Sequence, residues 1–341
     1  MGNTEDILNN VRAQIDAHPE PLAEARRRLD LVRSTATGFK GALRTYSSGS
    51  LAQHTFIHPV GDGDGGLVLD RRVYPLLGPD GGGQTPRDIT AQLCGLLGPA
   101  VREVYPRARC GTSKRGPKLT FGQPVDGQDP TVDLVVALTR RDGSGLWIPN
   151  LEQNRWEASH PELHVEMFTS GSPSLRRTRR RIVRLLKAWN KQYSEPGFSS
   201  HNLTVWAWEF VEPGMGLATG LQTVLSRAAA RVAAGSATVD PAGVSPNVQL
   251  LVSRDIAARR LRTAAEGVAQ ALANDSDREA VQSALSKVYY SYITNPSPSG
   301  LSARIALLRQ PTLVSTASLG LGGAAVTLPS ARAYGEGHGS R

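Results

Sequence analysis

Cysteine is nearly absent from this chain: Cys94 and Cys110 are the only two in 341 residues. Two isolated thiols exclude a disulfide framework and a cysteine-based zinc site, and they fit a reducing compartment. No apolar run approaches the ~20 residues that a bilayer-spanning helix needs. The opening residues, Met1 to Asp6, lack the charged and apolar regions of a secretory signal, and Asp6 stands where a myristoylation pattern needs Ser or Thr. No G-x-x-x-x-G-K-[ST] occurs, which excludes a P-loop. The expectation from these absences is a cytoplasmic protein with no membrane partner. Hydrophobic residues at 40% and charged residues at 20% then suffice for an ordinary buried core.

Acidic charge is missing from one stretch in particular. Between Ser174 and Tyr193 there is no acid but eight basic residues: Arg176, Arg177, Arg179, Arg180, Arg181, Arg184, Lys187 and Lys191. The net charge of the whole chain is +9, so this one segment leaves +1 for everything else. Arg180, Arg184, Lys187 and Lys191 recur at helical spacing as a stripe beside an apolar face of Ile182, Leu185, Trp189 and Tyr193. A solvated or nucleic-acid-binding face is one reading, and the lining of an anionic cleft is the other; both can hold on one helix.

Along the chain, residues 4–34 carry two apolar stripes, Ile7, Leu8, Val11 and Ile15, then Leu22, Ala25, Leu29 and Val32, broken at His18-Pro-Glu-Pro21. Residues 41–48 are expected to end a helix or to form a short strand. Pro86 to Tyr105 has helical periodicity, Arg109 to Gly116 reads as a basic loop, and 131–138 alternates as a strand. In that strand Val132, Leu134, Val136 and Leu138 face one way and Asp133 the other. Ser172-Pro173 is a helix start, and 202–232 and 249–293 are mostly helical. The fold class expected is α+β. Its units are an N-terminal helix and core over 1–165, a helical lobe over 166–295, and a loosely ordered tail over 296–341 with a hairpin near 311–328.

Three carboxylates are candidates for chemistry. Asp62 and Asp64 are two apart, so on an extended segment they point to the same side. Asp133 sits in an apolar run, where a carboxylate is costly unless it is paired or bound to metal. Gly49-Ser50 lies shortly before them; a glycine permits close backbone approach to phosphate, and a serine at a helix start can hold it. Each signal is weak alone, because Gly-Ser and Asp-Gly-Asp-Gly are ordinary turns. The segment fails as an EF-hand, since Gly66 and Val73 replace required ligands. Gly61, Gly63 and Gly66 match G-x-G-x-x-G by letter only, as two aspartates there would repel a pyrophosphate. His160-Pro-Glu-Leu-His164 lacks zinc-protease spacing, and a structural or surface role is expected of it.

Taken together, Gly49-Ser50, Asp62-x-Asp64 and Asp133 resemble the polymerase β-type nucleotidyltransferase superfamily. Val132-Asp-Leu-Val-Val136, Trp147-Ile-Pro-Asn150, the stretch from Trp156 to His164, and Arg184-Leu-Leu-Lys-Ala-Trp-Asn190 are similar to the bacterial cGAS/DncV-like nucleotidyltransferases. Leu203-Thr-Val-Trp-Ala-Trp-Glu209 and Val239-Asp-Pro-Ala242 with Asn247 also resemble the oligoadenylate synthetases. The resemblance runs from about 41 to 290. One departure is that Gly63, Gly65 and Gly66 stand where the family commonly has aliphatic residues, which should weaken the strand.

The resemblance implies a two-lobed enzyme with its active site between a mixed α/β core and a helical lobe. Such enzymes join nucleoside triphosphates, ATP among them, into cyclic di- or trinucleotide and other oligonucleotide second messengers. In bacteria these serve anti-phage (CBASS) signalling, with defence-operon regulators as expected partners. Carried over, Asp62 and Asp64 bind two Mg²⁺ ions, for which Mn²⁺ can substitute, and Asp133 holds the one that activates the ribose hydroxyl. Gly49, Ser50, Lys187 and Ser200 bind the triphosphate, and base stacking falls to Phe198 or His201. A polyanion contact is expected at Arg176–Lys191. Two rivals predict different products: single-nucleotide transfer onto tRNA, protein or a small molecule, and a non-catalytic basic nucleic-acid-binding module.

Overall fold

The computed structural model describes residues 2–294. The expected tail and its hairpin at 311–328 lie outside the described residues. Two helices open the chain, α1 (Asn3–Ile15) and α2 (Pro19–Ala36). Both apolar stripes bury, but into different cores: Ile7, Leu8, Val11 and Ile15 in one, Ala25, Leu29 and Val32 in the other.

Residues 42–48 form β1 (Ala42–Ser48), followed without a gap by the single-turn helix α3 (Gly49–Gln53) and then by β2 (Asp62–Leu69). After α4 (Pro86–Val104) come β3 (Arg109–Ser113), β4 (Gly116–Thr120), β5 (Thr131–Thr139), β6 (Leu146–Asn150) and β7 (Arg155–Ser159). The seven strands make one mixed sheet. Its main path is β1-β2-β5-β4-β3, with β6 pairing β5 and β7 pairing β6. Only β2 and β5 run parallel among these pairs. α2 and α4 cover one face, where Val132, Leu134, Val136 and Leu138 of β5 join Leu29, Ile89, Leu93 and Leu97.

Arg109 to Gly116 is not a loop but the β3–β4 hairpin. Its charge misled because Arg109 is exposed on β3, the sheet's edge strand, while Lys114 and Arg115 sit in the hairpin turn, paired with Glu152 and Glu157. The glycines of β2 do not prevent that strand either, because it is paired with β5 along its whole length and with β1 from Asp64 to Leu69. They make room. A Cβ on Gly66 would lie 2.1 Å from the Tyr46 ring, and one on Gly65 2.9 Å from the Tyr46 carbonyl.

The remainder is helical: α5 (Pro161–Phe168), α6 (Pro173–Lys191), α7 (Ser200–Phe210), α8 (Leu217–Ala233), α9 (Arg254–Ala273) and α10 (Arg278–Ser286). Ser172 caps α6 by accepting the Leu175 amide at 3.3 Å, with Pro173 in the first turn. Ile182, Leu185 and Trp189 point inward to Trp206, Leu221, Leu261 and Val281. α1 shares this second core. Its Glu5 Oε1 accepts the Leu217 amide at the start of α8 (2.7 Å), and Asp275, between α9 and α10, accepts the Thr4 amide in return (2.7 Å). No described helix is long and apolar enough to cross a membrane.

Candidate active site

The parallel register of β2 and β5 sets Asp64 directly beside Asp133, with Asp62 beside Thr131. Alternation puts Asp62 and Asp64 on the sheet face opposite the α2/α4 core, and Asp133 shares it. Carboxylate oxygens of Asp62, Asp64 and Asp133 all lie within 4.8 Å of one another. Burial pushes Asp62 above the usual carboxylate range, and Asp133 adds to the effect. Burial pushes Asp64 well above it, with Asp62 and Asp133 adding further. The one ion-pair partner of the trio among the described residues is Lys118 of β4, 3.6 Å from Asp133. Three half-buried carboxylates with so little counter-charge form an oxygen donor set that suits a hard divalent cation.

α3 begins against this trio. Gly49 has φ +61°, and the Ser50 amide donates to the Asp64 carboxylate. Lys187, between the buried Leu186 and Ala188 on α6, sends Nζ to the Thr55 carbonyl (2.9 Å) and hydroxyl (3.3 Å). Burial, with Lys191 nearby, pushes Lys187 down to about 8, against the opposing pull of Asp62 and Asp64. Lys191 is exposed, yet the protein crowded about its amine lowers it too, against the opposing pull of Asp62. The C-terminal half of the basic stripe therefore faces the carboxylates. Ser200 opens α7, capped by Ser199; no described contact joins it to the trio. Asp70 takes no part, since it is tied to Arg72 at 2.6 Å.

Of the two stacking candidates, Phe198 is excluded. It is fully buried, stacked on Trp189 and edge-on to Trp206, because the loop between α6 and α7 folds inward there. Asn190 fixes that loop: its Oδ1 accepts the amides of Gly197 (2.9 Å) and Phe198 (3.2 Å), and its Nδ2 donates to the Phe198 carbonyl (2.7 Å). His201 is half-buried beside His164 and Phe168. Burial, with His164 adding, pushes its ring down to about 4, so it is neutral at pH 7.

The His160–His164 motif is structural. The His160 ring accepts the Leu163 amide at the start of α5 (3.3 Å), and His164 Nε2 donates to the buried Asp240. Asp240 also accepts the amides of Val244 (3.0 Å) and Ser245 (2.7 Å). His164, His201 and Asp240 are close enough to form a second donor group, but the Asp240 oxygens are already occupied by these bonds. Sequence reading missed Lys118, Thr55, Asn190 and the His164–Asp240 pair. Lys118 sits beside Asp133 in register, a relation visible only once β4 is recognised as a strand.

No family model and no curated protein matches the chain. Solved structures do. CdnC of E. coli MS115-1 with ATP is 16% identical, with a TM-score of 0.62 over 85% of this chain and 98% of its own. The Bradyrhizobium diazoefficiens CD-NTase CdnG in complex with GTP is 16% identical, with a TM-score of 0.63 over 88% of this chain and 96% of its own. Vibrio cholerae DncV cyclic AMP-GMP synthase with the linear intermediate 5′ pppA(3′,5′)pG is 12% identical, with a TM-score of 0.53 over 86% of this chain and 87% of its own. The chain therefore has the polymerase β-like nucleotidyltransferase fold in the form carried by the bacterial CD-NTases.

Proposed function

We propose that the protein is a nucleotidyltransferase that joins nucleoside triphosphates into a cyclic oligonucleotide. The observation that carries this reading is the convergence of Asp62, Asp64 and Asp133 within 4.8 Å beside the start of α3. Neighbours of this fold solved with ATP, GTP and a linear dinucleotide intermediate support it.

In this reading Asp62 and Asp64 hold two Mg²⁺ ions and Asp133 holds one of them. Bound divalent metal supplies charge neutralisation at the α-phosphate and lowers the pKa of an attacking hydroxyl. Gly49 lets the backbone approach the triphosphate, and the Ser50 amide and hydroxyl donate to it. Lys187 gives its β- and γ-phosphates a cation, and Ser200 adds a contact from α7. His201 offers a neutral ring for base stacking. A 2′- or 3′-hydroxyl attacks the α-phosphate, the bond to the β-phosphate breaks, and pyrophosphate leaves with release of a proton. A second transfer closes the ring. Anti-phage signalling from the cytoplasm, with defence-operon regulators as partners, is the setting this activity fits.

The basic helix divides between two tasks. Its Lys187–Lys191 end serves the nucleotide, and its arginine end is left for another polyanion. The deciding experiment incubates the protein with Mg²⁺ and all four NTPs, then analyses phosphatase-resistant products by mass spectrometry. A cyclic product that disappears in Asp62→Ala/Asp64→Ala supports the reading. Label appearing only on a tRNA, protein or small-molecule acceptor shows single-nucleotide transfer, and NTP consumption that survives the double substitution removes the metal site.

A further inference from the structure

The N-terminal half of α6 carries a concentration of charge that the carboxylate site does not use. Arg176, Arg177, Arg180, Arg181 and Arg184, with Arg12 of α1, line a cavity of about 540 Å³. His54, which ends α3, completes its wall. None of the three carboxylates lines it, and neither do Gly49, Ser50, Lys187 or Ser200.

This arrangement works against the helix that bears it. Arg176/Arg180, Arg177/Arg181 and Arg180/Arg184 are like charges one turn apart, and cations near a helix N-terminus oppose its dipole. The protein does little to neutralise them. Asp16 bonds Arg12 (2.9 Å) and Arg184 (3.1 Å) at one edge. Among the described residues, Arg177, Arg180 and Arg181 have no carboxylate partner, and the buried Nε atoms of Arg180 and Arg184 have no acceptor. Among the described residues no carboxylate besides Asp16 pairs with the cavity's arginines, an arrangement that suits an anionic ligand. Guanidinium forks match phosphate oxygens in pairs, and the cavity has the size of a small-ligand site, not of a track along a polymer.

We propose that this pocket binds a compact polyphosphate, two or three linked phosphates either free or carried on a nucleotide, at a site separate from the carboxylate cleft and mechanically joined to it. The join is short. Arg184 donates to the His54 carbonyl (3.0 Å), and the next carbonyl along, that of Thr55, accepts Lys187 Nζ (2.9 Å). A ligand that redirects Arg184 therefore acts on the segment that holds Lys187. This inference stands apart from the catalytic reading, since neither its ligand nor its coupling requires turnover.

The test is calorimetric titration of the full chain with tripolyphosphate in EDTA, which denies the cleft divalent metal. One site is expected. Arg177→Gln/Arg181→Gln should weaken it at least tenfold, and Asp62→Asn/Asp64→Asn should leave it intact. Arg177 is exposed and neither arginine is paired, so the first variant should melt at or above the wild-type temperature. ATP under the same chelation separates the two sources: equal affinity assigns recognition to the phosphates alone, and tighter binding assigns it to a nucleotide. Absence of tripolyphosphate binding, or binding indifferent to Arg177→Gln/Arg181→Gln, overturns the site. So does duplex RNA that binds where tripolyphosphate does not, which would make this a nucleic-acid surface. Hydrogen exchange of residues 49–60 reads the coupling. Tripolyphosphate should change protection there in the wild type and not in Arg177→Gln/Arg181→Gln, and identical exchange with and without ligand overturns the join.

Discussion

Gly49 and Asp64 compete for the same space: a β carbon on Gly49 would lie 1.8 Å from Asp64 Oδ2. The glycine also sits at φ +61°, which a side chain tolerates poorly. Gly49→Ala removes no functional group, yet it should displace the Asp64 carboxylate, which we propose binds metal. The expected result is at least a hundredfold loss of nucleotidyl transfer, with ~1–3 kcal/mol of stability. Steady-state kinetics and thermal melting read the two effects, and a fully active variant would refute the assignment of Asp64.

In the proposed role, Asp64 trades stability for function. Its folded pKa, like that of Asp62, is raised above the ordinary value. The stability contribution of such groups is present below the ordinary carboxylate range and lost as pH rises through the raised values. At pH 7 the metal-free protein should therefore gain from Asp64→Asn, with each 1 kcal/mol worth about 1–2 °C in a chain of 341 residues. Activity should fall at least a thousandfold. Mg²⁺ should raise the wild-type melting temperature, more at pH 8 than at pH 6, and barely affect the variant. Differential scanning calorimetry at the two pH values checks all three statements.

Lys187 gives a second pH signature. It is held down to about 8, so it is cationic below that pH and loses its charge above it. Affinity for a non-hydrolysable NTP should weaken between pH 7 and pH 9. Lys187→Met should bind ~10–100-fold more weakly, a loss of about 1.4–2.8 kcal/mol, with a flat profile over that range. A wild-type profile equally flat would place the phosphates elsewhere.

Asn190 should act through the loop it holds. Replacing it by Ala removes at least the three hydrogen bonds to Gly197 and Phe198 and leaves those buried amides without this acceptor. A cost of ~2–4 kcal/mol is expected, with KM rising more than kcat falls because Ser200 and His201 follow directly. Urea unfolding and full kinetic curves separate the contributions.

His201 should serve as a neutral surface. Because burial keeps it uncharged at working pH, His201→Phe should retain most of the NTP affinity, and His201→Ala should raise KM about tenfold. Equal KM values for the two variants would remove the stacking role.

What the sequence revealed follows from the range of each interaction. Asp133 was legible because a carboxylate interrupts an alternating apolar strand, and all four alternating neighbours do bury. α6 was legible from Ser172, Pro173 and a regular apolar stripe. The pairing of His164 with Asp240 was not, since no local pattern connects side chains 76 residues apart. Phe198 was a stacking candidate through the resemblance alone, which carries no information on burial; Asn190 turns its loop inward. The β2 glycines looked like a weakness, and their reason, the Tyr46 ring packed across the adjacent strand, lies outside their own segment.

The place of α1 bears on how the molecule comes into being. Its first partners in the chain are not its main partners in space: Ile7, Leu8 and Val11 share their core with Ile57 and chiefly with helices that begin at residue 173, and Asp275 accepts the Thr4 amide in its first turn. On a ribosome adding ~5–20 residues per second, this amphipathic helix waits many seconds with its apolar side exposed, while the sheet behind it can already assemble. The last helices synthesised are thus the ones that secure the first. Removing a dozen N-terminal residues should then destabilise the far end of the protein before the carboxylate-bearing strands are disturbed.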